Sequence, residues 1–241
     1  MLRTALALAG VLAAAAPAAA GAAPRVRVMV VGRSDLLLAP RTVTARAVTV
    51  AASGKRCGVA AGTPLAALAG ARRAGAPSFS VRDFGGSCTR AARNSAQLFV
   101  TRIGGDRNRG QGGWTYKVGT RAGSAGAANP AGPFGNGRLR SGAHVTWFWC
   151  RRGGACQRTL SVASRGRVGH GGRLRVVVRG YDDFGHARRI RGARVRLGGR
   201  SAVTGPHGVA HVRAPRRTGR VRLTATKRGL VRAFDRRIRV T

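Results

Sequence analysis

The sequence predicts an α+β domain followed by an all-β sandwich, and three observations support this. One amphipathic helical segment stands among alternating strands in the first 157 residues. After Cys156 the helix signals disappear, and strands recur at short intervals separated by turns. Of the 241 residues, 218 follow a predicted export signal, which is enough for two modest domains. We therefore expect a signal peptide at 1–23, a first domain at 24–157 and a second domain at 158–241.

The first 23 residues have the three parts of a signal peptide. Arg3 gives a positive start, residues 5–16 form an apolar run too short to span a bilayer, and small residues at 18–23 offer cleavage sites. The alternative is an uncleaved N-terminal anchor. Because exported proteins meet an oxidising environment, we expect a secreted or cell-surface protein with oxidised cysteines.

The first domain opens with two predicted strands and one helix. Arg25–Val31 alternates arginine with apolar residues, which indicates a half-buried strand, and residues 43–51 repeat the pattern. Thr63 followed by Pro64 is a helix start signal, because threonine caps free N–H groups and proline fits the first helical position. The helix is predicted to end near Gly75. Further strands are predicted at residues 79–81 and 98–103, separated by a loop that carries Cys88.

All three tryptophans lie in two later strands of this domain. Alternation places Trp114 and Tyr116 on one face of the first strand, and Trp147 and Trp149 on one face of the second. Residues 121–137, between these strands, are rich in Gly, Ala, Pro and Asn and predict a surface loop. The aromatic side chains form either a small core or an open shelf, rimmed by that loop, that receives a ligand. The candidate ligand-binding residues are Trp114, Tyr116, Trp147 and Trp149.

Three segments of the first domain carry a resemblance to a known family. They are residues 98–108, with the sequence LFVTRIGGDRN, residues 112–118, with GGWTYKV, and residues 139–149, which end in VTWFW. Together they resemble a small extracellular domain of unknown function that is related to the C-terminal domain of transcobalamin and intrinsic factor. The resemblance covers about residues 25–156 and implies a β-grasp-like fold, in which a helix packs on a mixed sheet.

The segments depart from the family pattern at three places. The pattern has Asn-Gly where Gly119 and Thr120 stand, Gly-Asp where Gly142 and Ala143 stand, and commonly Tyr at Trp149. Both turn changes remove Asx-type hydrogen bonds but keep the apolar alternation. The resemblance therefore implies the fold more than the binding. We do not expect a cobalamin-like ligand, because the transcobalamins hold the other half of the cofactor in a helical barrel that this chain lacks.

The second domain consists of predicted strands only. Strands are predicted at residues 160–163, 174–179, 193–197, 209–212, 221–226 and 231–240. This spacing is typical of a β-sandwich. Residues 190–197 and 202–210 look like the immunoglobulin-like and carboxypeptidase-regulatory-like modules of surface proteins. Their pattern is Gly-Ala-x-Val and then Thr-Asp-x-x-Gly-x-Ala, with Gly205 here in place of Asp. The resemblance implies an immunoglobulin-like sandwich that acts as a spacer or stabiliser.

The four cysteines permit three complete pairings. We predict Cys57 with Cys88 and Cys150 with Cys156. The second pair closes a short loop that holds two flexible glycines, and the first constrains a long excursion of the chain. A metal site is the alternative, but the spacings match neither paired CxxC motifs nor a Cys/His finger.

Charge is the most extreme property of the composition. The chain has 42 Arg and 3 Lys against six Asp and no Glu, for a net charge of +39. A GC-rich genome can explain the preference for Arg over Lys, but it does not explain the missing acids. Residues 24–157 carry 21 basic residues against 3 Asp (+18), and the shorter segment 158–241 carries 23 against 3 (+20). A protein with this charge is expected to bind polyanions in a salt-dependent way.

The arginines alternate with apolar residues instead of forming a tail. In Arg194–Leu197 and in residues 220–223, the period of two places guanidinium groups on the outer faces of sheets. Such a surface is either an ordinary solvated exterior or a dedicated polyanion-binding surface. The candidate polyanion-binding residues are Arg194, Arg196, Arg220 and Arg222. The expected partners are anionic cell-envelope polymers or nucleic acid.

The sequence lacks the patterns that catalysis requires. There is no Glu, the Asp residues are scattered apart from Asp182 and Asp183, and no Gly-x-Ser-x-Gly or His-Glu-x-x-His motif occurs. His186, His207 and His211 could meet a metal but have no identifiable carboxylate partner. We therefore expect no enzyme, no cofactor and no metal.

Two functional hypotheses of different class follow. The first is a non-catalytic secreted or cell-surface binding protein, with an aromatic-lined first domain and a spacer sandwich. The second is an arginine-driven binder of polyanions, in which the sandwich itself adheres to a charged polymer.

Overall fold

The computed structural model describes residues 22–86, 88 and 98–241. The predicted signal peptide lies outside these residues except for Ala22 and Ala23. Within the described part, we find no helix with the length and apolar character that crossing a membrane requires. The elements of the first part are β1 (Arg25–Val31), β2 (Leu36–Thr44), β3 (Val48–Ala52), β4 (Lys55–Val59), α1 (Pro64–Arg73), β5 (Phe79–Asp83), β6 (Leu98–Ile103), β7 (Asp106–Arg107), β8 (Gly113–Val118), β9 (Arg121–Ala122) and β10 (His144–Cys150).

The remainder of the chain contains strands only, as far as it is described. They are β11 (Thr159–Ser164), β12 (Arg167–Val168), β13 (Arg173–Tyr181), β14 (Ala187–Arg189), β15 (Arg194–Leu197), β16 (Arg200–Val203), β17 (Val209–Arg213), β18 (Gly219–Thr226) and β19 (Arg236–Val240). β12, β14 and β16 were not expected from the sequence, and β19 is shorter than the predicted strand at 231–240.

The predicted fold class is wrong for the first part. Strands make up 49% of the structure and helix 5%, and α1 is the one helix among the described residues. The first part contains two five-stranded sheets, which does not fit an α+β β-grasp-like domain. The reason is that α1 has only ten residues and is therefore about 15 Å long. It covers part of one sheet, and strands of the second sheet complete the core.

Helix α1 begins where the sequence predicts. The Oγ1 atom of Thr63 accepts a hydrogen bond from the N–H of Ala66 at 3.2 Å, and Pro64 occupies the first turn. All residues from Pro64 to Ala71 are buried. Gly70 lets the helix approach β2 closely, because a Cβ atom there would lie 3.0 Å from the carbonyl oxygen of Thr44. The helix is thus a buried element that packs on β1, β2 and β10.

The first sheet is covered on both sides. Its order is β2-β1-β10-β8-β9, and β1 runs parallel to β10. In the central strand β10, only the first residue, His144, is not fully buried. Residues such as Trp147 face the core that contains α1. Residues such as Phe148 face the opposite way and contact Val231 of the second part.

The second sheet has the order β4-β3-β5-β6-β7. It faces the same core as the first sheet, to which it contributes apolar side chains such as Val50, Val81 and Val100. The predicted strand at 43–51 is divided between two strands, since the chain leaves the first sheet after β2 and enters the second sheet at β3. Between them Ala45 donates its N–H to the carbonyl of Pro24 at 2.9 Å.

The predicted loop at 121–137 is a loop from residue 123 onward, but it does not lie wholly on the surface. It begins with the short strand β9, and Ala127 and Ala128 are buried in the core. The carbonyl of Ala127 accepts a hydrogen bond from the N–H of Leu65 at 2.8 Å, in the first turn of α1. The segment is therefore part of the packed structure.

Both predicted disulfides are confirmed. Cys57 in β4 is bonded to Cys88, and Cys150 at the end of β10 is bonded to Cys156. No cysteine among the described residues is free. Disulfides of this kind form and persist in oxidising compartments, so they indicate an extracytoplasmic environment.

The second part consists of two sheets around one core. One sheet has the order β11-β13-β14, with β17 also paired to β13, and the other has the order β12-β19-β18-β15-β16. Their inner faces share apolar residues such as Val176, Leu197, Leu223 and Ile238. On β13, β15 and β18, buried residues alternate with exposed arginines, as the sequence pattern predicts for half-buried strands.

The two parts meet at a mixed interface. Buried Lys117 of β8 extends its Nζ to the carbonyls of Tyr181 and Asp182, at 3.1 and 2.8 Å, and lies 3.1 Å from the Asp183 carboxylate. The N–H of Ala122 in the first part also donates to the carbonyl of Asp183 in the second part at 2.9 Å. That residues 24–157 and 158–241 fold independently stays a prediction.

Candidate polyanion-binding surface and aromatic pocket

One face of the sheet β12-β19-β18-β15-β16 carries seven exposed arginines. Strand alternation turns the apolar residues of β15, β18 and β19 toward the core and the arginines toward solvent. The strand pairs place all seven on the same side of the sheet. We call this surface the arginine face: Arg167, Arg194, Arg196, Arg220, Arg222, Arg237 and Arg239.

The register brings arginines directly opposite one another. Arg239 is paired with Arg167 on one side and with Arg220 on the other, and Arg237 is paired with Arg222. Side chains in such positions have Cβ atoms about 5 Å apart, and like charges there are unfavourable. An anion bound across the strands would relieve this repulsion.

Only one arginine of this face has an acidic partner among the described residues. The Nε atom of Arg222 lies 3.1 Å from Oδ2 of Asp235. The same carboxylate is shared with Arg27 of the first part, whose guanidinium lies 2.8 Å from Oδ1. The other six arginines of the face are in no ion pair of the described structure, so their charge remains available to a ligand.

The four arginines predicted from the sequence all lie on this face, where they are exposed. Arg167, Arg237 and Arg239 were missed as members of it. The signal was present for two of them, because Arg237-Ile238-Arg239 repeats the arginine–apolar alternation. Arg167 sits in a two-residue strand that is too short to show a period.

The opposite sheet of the second part is also basic on its outer face. Arg173 of β13 is paired with Arg213 of β17, and Arg179 is paired with Arg189 of β14. All four are exposed. Both outer surfaces of this part therefore present arginine, with fewer of them on this second sheet.

The candidate aromatic residues are buried. Strand pairing sets Trp147 opposite Tyr116, with ring centroids 5.3 Å apart, and Trp149 opposite Trp114. Trp147 is 1% exposed, and none of the four exceeds 9%. Each ring also donates a hydrogen bond from its polar atom to a backbone carbonyl; for example, Nε1 of Trp114 donates to Asp106 at 2.8 Å. These satisfied, buried rings form a core.

Three of these rings nevertheless line a small pocket of about 340 Å³. Trp114, Tyr116 and Trp147 form one wall, and residues 123–127 with half-exposed Phe99 form the rim. No arginine, lysine or aspartate lines it, in contrast to the large grooves of the protein. Trp149 lies outside it, with the guanidinium of Arg33 4.8 Å from its ring centroid.

Tyr116 closes the inner end of this pocket. Its hydroxyl donates to the carbonyl of Ala125 at 2.6 Å, and burial raises the pKa of the phenol well above its usual range. Gly123 is needed beneath the ring, because a Cβ atom there would lie 2.1 Å from the phenol oxygen. The phenol is thus a fixed neutral group that ties the loop to the strand.

The histidines considered as metal ligands are not brought together. In the described part of the chain, no group of three or more His, Cys, Asp or Glu side chains is placed to hold a metal ion. His186 instead lies 3.5 Å from the carboxylate of Asp182. His207 and His211 are exposed.

Comparison of the chain with family models, with curated proteins and with solved structures gives no match. The resemblance of residues 25–156 to the transcobalamin-related domain therefore stays a prediction that rests on its own residues.

Proposed function

We propose that this protein is a non-catalytic binder of polyanions in an oxidising, extracytoplasmic compartment, and that the arginine face is its main contact surface. The observation that carries the proposal is the set of six arginines on that face without an acidic partner in the described structure. Their spacing follows strand pairing, so they form an array and not a tail. Cell-envelope polymers and nucleic acids are the polyanions available to such a surface.

The proposal implies strong salt dependence without sequence recognition. Each arginine–phosphate contact releases condensed counterions, and six to ten contacts lose about 10³–10⁵-fold in affinity between 50 and 200 mM salt. Contacts to backbone phosphates position a ligand but carry no base information. We therefore expect similar affinities for duplexes of different sequence.

The test is elution from heparin resin together with a salt titration. Replacing Arg194, Arg196, Arg220 and Arg222 with Gln removes four charges from one face, and we expect earlier elution and a flatter salt slope. The matched control replaces four exposed arginines of the first part, which removes the same charge elsewhere. These control positions are Arg46, Arg56, Arg109 and Arg140.

Equal effects of the two quadruple variants would show that total charge, and not the arginine face, determines binding. No retention of the wild-type protein at low salt would overturn the proposal altogether. Thermal unfolding of both variants verifies that they are folded, because outward side chains contribute little to packing.

A second candidate function is supported by the aromatic pocket. Its volume is at the lower end of the range for small-molecule sites, and its lining is apolar and uncharged. A neutral ligand with a single ring fits this chemistry. Tryptophan fluorescence can be titrated with neutral monosaccharides and small aromatic alcohols, and Phe99→Ala at the rim should weaken any response. A response that Phe99→Ala leaves unchanged would exclude this pocket as its source.

A further inference from the structure

Two basic grooves are lined in part by consecutive residues of strand β11. The first, of about 1410 Å³, includes Ala163 and Ser164 of β11 together with residues of β12, β13 and β19. The second, of about 680 Å³, includes the three preceding residues, Leu160, Ser161 and Val162, together with residues of β18, β19 and the first part. Their linings are consecutive along β11. We call the combined depression the β11 trough.

Each groove of the β11 trough contains five arginines. Those of the first groove come from both sheets of the second part, and no Asp or Glu side chain lines it. In the second groove Asp235 is the single acidic side chain of the lining. The arginines of the first groove are Arg165, Arg167, Arg173, Arg175 and Arg239, and those of the second are Arg27, Arg41, Arg222, Arg236 and Arg237.

The floor of the trough also offers hydrogen-bond donors. The N–H of Leu160 points away from β13, since it donates to the carbonyl of Val231. Alternation along an antiparallel strand then directs the N–H groups of Val162 and Ser164 the same way, along the free edge of β11. In the described structure, neither of these two N–H groups has a backbone hydrogen-bond partner on the far side of β11 from β13. An unpaired strand edge presents N–H donors and carbonyl acceptors in turn, so the N–H groups of Val162 and Ser164 are open to a ligand.

We propose that the β11 trough binds a single extended chain of a phosphate-bearing linear polymer. This inference rests on the proposed polyanion-binding function and assigns it a specific site. Guanidinium groups match phosphate oxygens in a bidentate way. The arginines of the trough lie on both sides of β11, so a ligand that follows this strand meets them in turn. A flexible single chain can follow this line, whereas a DNA duplex, with a persistence length of about 50 nm, is too stiff to bend into it.

The trough has little aromatic surface, which favours a ligand bound through its phosphates over one recognised through its bases. Phe234 is the single aromatic side chain of a Phe, Trp or Tyr in the two linings, and it already stacks on His144 with centroids 4.5 Å apart. Proteins that bind single-stranded nucleic acid usually stack bases on aromatic rings. The trough therefore recognises repeated phosphate and not bases.

The second groove carries the ligand path onto the first part of the protein. Arg27 and Arg41 come from β1 and β2, whereas Arg222, Arg236 and Arg237 come from β18 and β19. A polymer that fills both grooves would contact both parts at once. Such a ligand would also hold the two parts together.

The experiment compares two probes on the full-length protein. The probes are inorganic polyphosphate, which is a single chain, and a 30-base-pair duplex of DNA. The groove variant carries Arg165→Gln, Arg173→Gln and Arg175→Gln, which lie outside the arginine face. The face variant carries Arg194→Gln, Arg196→Gln and Arg220→Gln, which lie outside the trough. A control variant with Arg46→Gln, Arg56→Gln and Arg109→Gln removes the same charge.

The groove variant should lose about tenfold or more of its polyphosphate affinity and much less of its duplex affinity. The face variant should lose more of its duplex affinity than of its polyphosphate affinity.

If the groove variant binds polyphosphate as well as the control variant does, the proposal of the β11 trough is wrong. The polyanion-binding function would still stand in that case, provided that the face variant binds the duplex more weakly than the control variant. If the wild-type protein binds neither probe at low salt, the function itself fails. The two failures are therefore distinguishable.

Discussion

Strands β10 and β18 have equally regular alternation in sequence but opposite environments. In β18 one set of residues is buried and the other, including Arg220 and Arg222, is exposed. In β10 both sets are buried, one against the core with α1 and the other against the second part of the chain. Alternation therefore identifies a face but does not say what covers it. For these two strands, the charge of the alternating residues tells the two cases apart.

The residues of β10 and β8 that face the second part should therefore behave as interior residues. Lys117, Thr146 and Phe148 are at most 3% exposed. Desolvation lowers the pKa of Lys117, and the nearby Asp183 carboxylate opposes that effect. Three oxygen partners, the carbonyls of Tyr181 and Asp182 and the carboxylate of Asp183, stabilise the buried charge of Lys117.

The largest effect is expected on the core side. Trp147→Ala removes a fully buried ring together with its hydrogen bond to the carbonyl of Pro64, and we expect the free energy of unfolding to fall by about 4 kcal/mol. Urea denaturation followed by circular dichroism measures this. The control on the solvated strand is Arg220→Ala, which should change stability by about 0.5 kcal/mol or less. Similar losses in the free energy of unfolding for Trp147→Ala and Arg220→Ala would contradict the difference in environment between β10 and β18.

A smaller but still large effect is expected at the interface between the two parts. Lys117→Met keeps most of the volume but leaves the Asp183 carboxylate and two carbonyls without their cation. Removing one partner of a buried pair costs about 3 kcal/mol or more. Because Asp183 is one quarter exposed, at 24%, water can recover part of that loss, so we expect a value of about 3 kcal/mol.

The double variant Lys117→Met with Asp183→Asn provides the control. It removes both charges, and the loss should be smaller than for Lys117→Met alone, since no unpaired carboxylate remains. If the loss in the double variant equals the sum of the losses in the two single variants, Lys117 and Asp183 are not coupled. In that case the interface would depend on apolar contacts such as Phe148 with Val231.

These two positions also show how far the sequence determines the structure. Trp147 was placed on the aromatic face of a strand from alternation alone, and it lies in β10. Lys117 gave no warning, because a lone lysine between Tyr116 and Val118 has the pattern of a solvated residue. Its burial depends on Tyr181–Asp183, which come from a distant part of the chain. Nonlocal contacts of this kind leave no local signal in the sequence.

The same reasoning separates the arginine face from the β11 trough. Arg194, Arg196, Arg220 and Arg222 could be assigned to a solvent face because each sits in an alternating strand. The trough could not be predicted, because its walls come from β11, β13, β19 and the first part, which are far apart in sequence. The β-grasp-like expectation was wrong for a related reason, since the number of sheets depends on which strands pair.

The smallest effect is expected at the rim of β10, where His144 stacks on Phe234. Burial lowers the pKa of His144, and repulsion from Arg27 adds to this, whereas Asp235 opposes it. Four more arginines line the same groove, from β2, β18 and β19. The folded protein therefore holds this imidazole neutral more strongly than the unfolded chain does. The carboxylate of Asp235 is the one acidic group that faces it across the groove.

A lowered pKa in the folded state fixes the sign of the pH dependence. Well above pH 6.5, His144 is neutral in both states, and its contribution to the free energy of unfolding is fully present. As the pH falls below 6.5, the unfolded chain takes up the proton first. The free energy of unfolding therefore decreases until the pH has passed the lower pKa of the folded state. His144→Phe keeps the stacked ring but cannot titrate. Between pH 7 and 5 the wild-type protein should therefore lose more of its free energy of unfolding than His144→Phe does, as measured by urea denaturation at each pH. Parallel curves would show that the rim of β10 is as solvated as β18 and that only its centre is interior.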